Sequence, residues 1–147
     1  MVEFSTQADV LLGSDAVAHV WTNNADGTPQ VSVVWVIAHG DEIVFGTDAA
    51  SQKAKNLAHD DRVVMSIEDT ERNERGFQRH LVIRGRATVE AGPDPALMDR
   101  LANKYLGLQR HPLALRDSPT SVVVRVSVDR ISGVGPWVDE DVPVGHR

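Results

Sequence analysis

Glu42-Ile43-Val44-Phe45-Gly46-Thr47-Asp48-Ala49-Ala50-Ser51-Gln52-Lys53-Ala54-Lys55-Asn56-Leu57 carries the decisive reading of this chain. Its first five residues form a strand-like apolar run. The run passes into what reads as a turn entering a helix. At that junction two hydroxyls, two lysines and two amides crowd together. A helix N-terminus presents free N–H groups and the positive end of a dipole, so it favours anions. Lysines placed there add ammonium charge for a phosphate. From Thr47 to Leu57 there are two positive charges against one negative, within a chain whose net charge is −6. The segment is read as a local site for a phosphorylated small molecule. The residues alone leave a second reading open, in which the lysines are solvated and Ser51 is a plain N-cap.

Working outward, the 147 residues suffice for one ordinary domain with its own core, taken as 1–147. Hydrophobic residues make up 41% and charged residues 24%, which is globular composition. No apolar run approaches the roughly 20 residues of a membrane span. The start, Met1-Val2-Glu3-Phe4-Ser5, has neither the basic head nor the apolar centre of a signal peptide, so a cytoplasmic location is expected. Cysteine is absent, which excludes disulfides, thiolate metal sites and a cysteine nucleophile. The acidic balance argues against general nucleic-acid binding. The six histidines are scattered without an HxH or HExxH pair, so no metal site is expected.

Thr6 to Leu12 reads as a short amphipathic helix, with Ala8, Leu11 and Leu12 on one stripe and Ser5 or Thr6 as cap. Ala16 to Thr22 reads as a strand, Asn23 to Pro29 as a hairpin turn with Asp-Gly as its signal, and Gln30 to Ile37 as the second strand. His39-Gly40-Asp41 turns into a third strand over 42–47, closing a meander. Lys53 begins a short helix that His59-Asp60-Asp61 ends. Arg62 to Glu68 is a fourth strand, 69–76 a charged mobile loop or long hairpin tip, and Arg79 to Glu90 a long strand with Gly85 at a bulge or close approach. Gly92-Pro93-Asp94-Pro95 starts a helix to about Leu106, whose Leu97–Leu101–Tyr105 stripe is packing. An irregular stretch, 108–119, precedes a valine-rich last strand over 121–131 and a loop over 132–137. Six strands, hairpin connections and few short helices predict a mainly β fold, a β-barrel. Trp21 is expected in the core. Arg84 and Arg86 are expected to share one solvated strand face.

In order, these elements resemble the split β-barrel flavin and deazaflavin oxidoreductases, the FMN-binding relatives of pyridoxamine 5′-phosphate oxidase. Four pieces carry the likeness: Asp26-Gly27-Thr28-Pro29-Gln30-Val31-Ser32; Val33-Val34-Trp35; Thr47 with Ser51-Gln52-Lys53-Ala54-Lys55-Asn56-Leu57 and then Asp61-Arg62-Val63; and Leu81-Val82-Ile83-Arg84-Gly85-Arg86-Ala87. The short chain and the phosphate segment are most similar to the branch that uses coenzyme F-420, an 8-hydroxy-5-deazaflavin. The acidic tail from Asp139 differs from the basic motif of the oxidases proper.

The resemblance implies a homodimer with cofactor at the subunit interface. It implies that Thr47, Ser51, Gln52, Lys53, Lys55 and Asn56 hold the phosphate. Val33, Val34 and Trp35 would run beside the tricyclic ring. Gln78, Arg79 and His80 would lie near the cofactor's tail or ring, and Trp137 would arrive from the partner subunit. Arg62, Lys53, Lys55 and the loop from Arg72 to Arg79 would meet the glutamate tail. The expected activity is hydride transfer from reduced F-420 to a conjugated acceptor such as a quinone, an enone or a tetrapyrrole. FMN is the alternative cofactor, and a carrier without turnover is the alternative role. No side chain is required as an acid; solvent, His80 or Ser32 would supply a proton. Trp35 is read as core or as ring packing, and Trp137 as an interface anchor or ring packing.

Overall fold

The computed structural model describes residues 2–138. Three helices and seven strands follow one another as α1 (Thr6–Gly13), β1 (Ala18–Asn23), β2 (Pro29–Val34), β3 (Ile37–His39), β4 (Glu42–Asp48), α2 (Gln52–His59), β5 (Arg62–Arg72), β6 (Gln78–Ala91), α3 (Pro95–Leu106) and β7 (Ser121–Val134), with one 3₁₀ turn at Ala114–Arg116. The strands form a single antiparallel sheet in the order β2-β1-β5-β6-β7-β4-β3.

Period-two burial closes this sheet into a barrel. Val20, Ile43, Phe45, Met65, Ile67, Leu81, Ile83, Val124, Val126 and Val128 are fully shielded from solvent, and they belong to one core cluster. That cluster draws on strands from both halves of the order, which a flat sheet does not allow. Roughly 25 cal/mol per Å² of apolar surface removed from water makes this interior the main source of stability. A second, smaller cluster lies outside the barrel, where Leu97, Met98 and Leu101 of α3 pack on Val44 and Val123. The expected stripe of α3 is therefore packing, with Tyr105 joining at the edge.

The caps match their chemistry. Ser5, Ser51 and Asp94 cap the three helices through side-chain oxygens, Pro95 opens α3, and Gly107 ends it in the left-handed region. Gly85 realises both expectations for it. The β6–β7 register shifts between Arg84 and Gly85, and a side chain at 85 would run into the Ser127 carbonyl.

Four expectations are corrected. The second strand does not run unbroken to Ile37. It stops at Val34, and β3 begins at Ile37 on the opposite edge of the sheet, so there are seven strands rather than six and the meander is split. The break costs little because Val36 finds partners on α3: its N–H donates to the Tyr105 hydroxyl at 3.1 Å, and its carbonyl accepts from Lys104. Trp21 is not core; it lies opposite Val31 and Val64 on the outer sheet face and is half-buried. The charged loop shrinks to a turn at 73–77, since β5 runs on through Arg72. Ser132 to Val134 belongs to β7 rather than to the following loop. The acidic tail from Asp139 lies outside the described residues.

Candidate functional site: a cleft between the strand break and helix α2

Two segments that are distant in sequence meet beside the strand break. Val33, Val34 and Trp35 line one wall of a cleft of about 250 Å³, and Gly46, Thr47 and Lys53 line the other. Met98, Leu101, His111, Leu113 and Leu115 form its floor and rim. The indole of Trp35 stacks on Tyr105 at 5.2 Å with 6° between planes and meets the edge of His111 at 5.8 Å. The Tyr105 hydroxyl fixes this stack by donating to the Ala16 carbonyl at 2.9 Å.

Polar groups converge at the start of α2. Thr47 Oγ1 donates to Ser51 Oγ at 3.1 Å, and Ser51 Oγ accepts the N–H of Ala54 at 3.3 Å. Both bonds occupy lone pairs of Ser51, so its own proton is available to an incoming oxygen. Lys53 is half-buried, and desolvation lowers the pKa of its ammonium. Six arginines form ion pairs with carboxylates, whereas neither Lys53 nor Lys55 does among the described residues. A partly desolvated, unpaired ammonium beside a helix N-terminus suits a phosphate.

The remaining residues of that segment divide by helix face. Gln52 and Lys55 are exposed. Asn56 is fully buried and engaged within the protein: its amide donates to Thr22 at 3.0 Å and Asn24 at 2.9 Å and accepts from Gln52 at 2.8 Å. It ties α2 to the β1–β2 hairpin. Arg62 lies past the end of α2 and is held by Asp60 at 2.8 Å.

Gln78, Arg79, His80 and Trp137 come together elsewhere. Gln78, Arg79 and Trp137 line a separate cleft of about 500 Å³ between α1 and the β5–β6 hairpin, among Asp15, Glu68 and Asp69. Their groups are largely satisfied there. Trp137 is only 9% exposed and belongs to the barrel core of its own chain. Its indole N–H donates to the His80 carbonyl at 2.9 Å, and the Arg79 guanidinium lies 5.3 Å over its ring. Arg79 pairs with Asp69 and Glu71 at 3.0 Å each. Gln78 donates to the Asp69 and Glu71 carbonyls. His80 Nδ1 donates to the Gln78 carbonyl at 3.0 Å. Gly135, at φ +147, lets the chain fold back beneath the indole, where a side chain would meet the ring at 2.5 Å.

Sequence reasoning passed over the cleft floor. His111 is 5% exposed, and its Nδ1 accepts the Leu113 N–H at 3.2 Å, which leaves the proton of the neutral ring on Nε2. It lies in the stretch read as irregular, where no periodicity marks it. Ser32 Oγ is buried with no hydrogen-bond partner among the described residues. No group of three His, Asp or Glu residues there could hold a metal ion. No described helix is long and apolar enough to cross a membrane.

A seven-stranded antiparallel barrel with a phosphate-suited helix start on its flank defines a split-barrel protein of the flavin and deazaflavin type. The family model for pyridoxamine 5′-phosphate oxidase matches residues 5–135, and the chain belongs to that family. A structure named F-420 reductase is 28% identical, with a TM-score of 0.73 over 84% of this chain and 94% of its own. A conserved hypothetical protein from Mycobacterium tuberculosis is 25% identical, with a TM-score of 0.70 over 89% and 84% of the two chains. General Stress Protein 26 from Bacillus anthracis, 17% identical with a TM-score of 0.61 over 83% and 86%, shares the fold. No curated protein sequence matches significantly.

Proposed function

We propose that this chain is a cytoplasmic oxidoreductase that uses coenzyme F-420 and works as a homodimer with the cofactor at the subunit interface. The observation that carries the reading is the single cleft joining the Val33–Trp35 wall to Thr47 and Lys53. The 28% identity to a structure named F-420 reductase supports the deazaflavin over FMN. Small-molecule pockets usually enclose about 300–1,000 Å³. The cleft of one protomer, about 250 Å³, falls just below that range, which leaves room for a second copy to complete it. The open sheet face supplies a surface for the second copy, with Val31 at 47% and Val33 at 55% exposure beside Trp21.

The chemistry supplied at this site is hydride transfer from the reduced deazaflavin to a flat conjugated acceptor such as a quinone, an enone or a tetrapyrrole. The chain's own residues position and shield. Lys53, the free proton of Ser51 and the first N–H groups of α2 hold phosphate, with exposed Lys55 adding charge. Trp35, locked by Tyr105, and the backbone at Val33 and Val34 present a flat wall to the ring. His111, whose Nε2 carries the proton, stands nearer this work than His80, which lines neither wall of the cleft.

The test is fluorescence titration of the protein with F-420, and with FMN in parallel. Micromolar or tighter binding of F-420, with weak FMN binding, is expected. Substituting Lys53→Glu with Lys55→Glu should weaken it by about a hundredfold or more, since attraction becomes repulsion at the phosphate. Preference for FMN moves the protein to the flavin branch. Tight binding without reduction of any acceptor makes it a carrier. Unchanged affinity in the double variant overturns the site.

A further inference from the structure

His111 is the one side chain on the floor and rim of the cleft that can donate a hydrogen bond. Its neighbours there, Met98, Leu101, Leu113 and Leu115, are apolar. Thr47 and Lys53 stand on the far wall, and the indole of Trp35 on the near one. The imidazole is 5% exposed, and its Nδ1 accepts the Leu113 N–H at 3.2 Å. The proton of the ring is therefore on Nε2. Nε2 joins no hydrogen bond among the described residues, although few donors on a buried side chain stay unspent.

The ring is also held from behind. The backbone N–H of His111 donates to Asp99 Oδ1 at 2.9 Å, and Arg116 grips both oxygens of Asp99, at 2.8 and 2.9 Å. Arg116 holds the Asp99 carboxyl down at about 2, so this anchor is charged at neutral pH. The imidazole stands at 63° to the indole of Trp35, with 5.8 Å between ring centroids. A flat molecule entering against Trp35 therefore meets His111.

We propose that His111 is a catalytic residue of the cleft, a neutral imidazole whose Nε2–H donates to a carbonyl oxygen of the conjugated ring system bound against Trp35. The proposal deepens the deazaflavin reading above and rests on it. When a hydride reaches a conjugated carbonyl acceptor, the π electron pair moves onto the carbonyl oxygen, and the deazaflavin that gave the hydride is oxidised. A fixed donor at that oxygen stabilises the charge, most strongly among apolar neighbours. His111 keeps its own proton throughout. Giving it up would leave an imidazolate, and taking a second proton on Nδ1 would break the bond from Leu113. Solvent supplies the proton that neutralises the product. The carbonyl has two sources, since the ring of the cofactor and the acceptor each carry one.

The experiment compares the wild type with His111→Phe, which keeps a flat ring without a donor, and His111→Gln, which restores an N–H. NMR of the ring nitrogens in the free protein reads the tautomer: a proton on Nε2 of His111 is expected, and a proton on Nδ1 overturns the proposal. Each protein is then titrated with oxidised and with reduced F-420, and assayed with a benzoquinone against a phenazinium dye, which accepts a hydride without a carbonyl. If the oxygen is the acceptor's, kcat for the quinone relative to the dye falls about a hundredfold in His111→Phe, with KM little changed. If it is the cofactor's, the reduced form loses about tenfold in affinity relative to the oxidised form, and quinone and dye slow together. In either case His111→Gln recovers the loss. Equal behaviour of His111→Phe and the wild type in both measurements overturns the proposal. Equal loss in both variants with a lowered thermal midpoint also overturns it, making the ring a packing element beside Trp35. A wild type that binds no F-420 overturns the deazaflavin reading, and this assignment falls with it.

Discussion

The cleft beside α2 and the seat of Trp137 contrast sharply, although both were marked by the same family likeness. In the cleft, Lys53 has no ion partner among the described residues, Ser51 keeps a free proton, and Trp35 presents its face. Around Trp137 the indole N–H, Gln78 and His80 are hydrogen-bonded within the chain, and Arg79 is ion-paired, although its buried Nε has no hydrogen-bond partner among the described residues. Groups left unspent by folding are available to a ligand. Groups fully spent are the means by which the fold holds its shape. One protomer therefore leaves polar groups open in the first region and ties them into the fold in the second.

The strongest way to break this contrast is Trp137→Ala. As a lock, Trp137 fills the barrel end, so its removal should cost about 3–5 kcal/mol in urea unfolding. Affinity for the phosphorylated cofactor, measured on the protein still folded, should change little. A large loss of affinity with unchanged stability would move Trp137 into the binding site. Asn56→Ala sharpens the division within α2 itself. It strands Thr22 and Asn24 without their amide donor, so a loss of about 1–3 kcal/mol is expected. A thermal melt checks it, and no stability change would mean the amide faces a ligand instead. The smallest effect concerns Lys104, which donates to the Leu12 and Val36 carbonyls and so props the cleft wall from behind. Burial pushes its ammonium down to about 8, against an ordinary 10.5, with Asp15 opposing weakly. Between those values the unfolded chain keeps the proton and the folded chain releases it, so this group makes stability rise from pH 8 to 10.5. Urea midpoints across that range should lose the rising component in Lys104→Met; identical slopes would rule out the linkage.

Most of the fold was legible because its signals are local. Asp26-Gly27 turned the first hairpin, Pro95 opened α3, and Gly85 marked the bulge. The convergence of Thr47, Ser51 and Lys53 at the start of α2 was legible for the same reason, since a helix start is a short-range feature. Trp21 misled because alternation alone does not say which face of a strand turns inward. The break at Trp35 was hidden because its backbone partners, Lys104 and Tyr105, are about 70 residues away in sequence. The seat of Trp137 in the barrel core of its own chain carried no local signal either. On the outer face of β2 the exposed apolar residues are Val31 and Val33, which only the pairing of β1 with β2 and β5 reveals. His111 carried no pattern at all.

The stack of Trp35 on Tyr105 has one more consequence. The three indoles occupy three environments: Trp137 in the barrel core beside the second cleft, Trp21 on the open sheet face and Trp35 on the wall of the first. A molecule entering the cleft must touch only the last of these. The protein thus carries its own optical probe: in a chain whose other two indoles are replaced by phenylalanine, emission from Trp35 would register the arrival of any ligand, coloured or not.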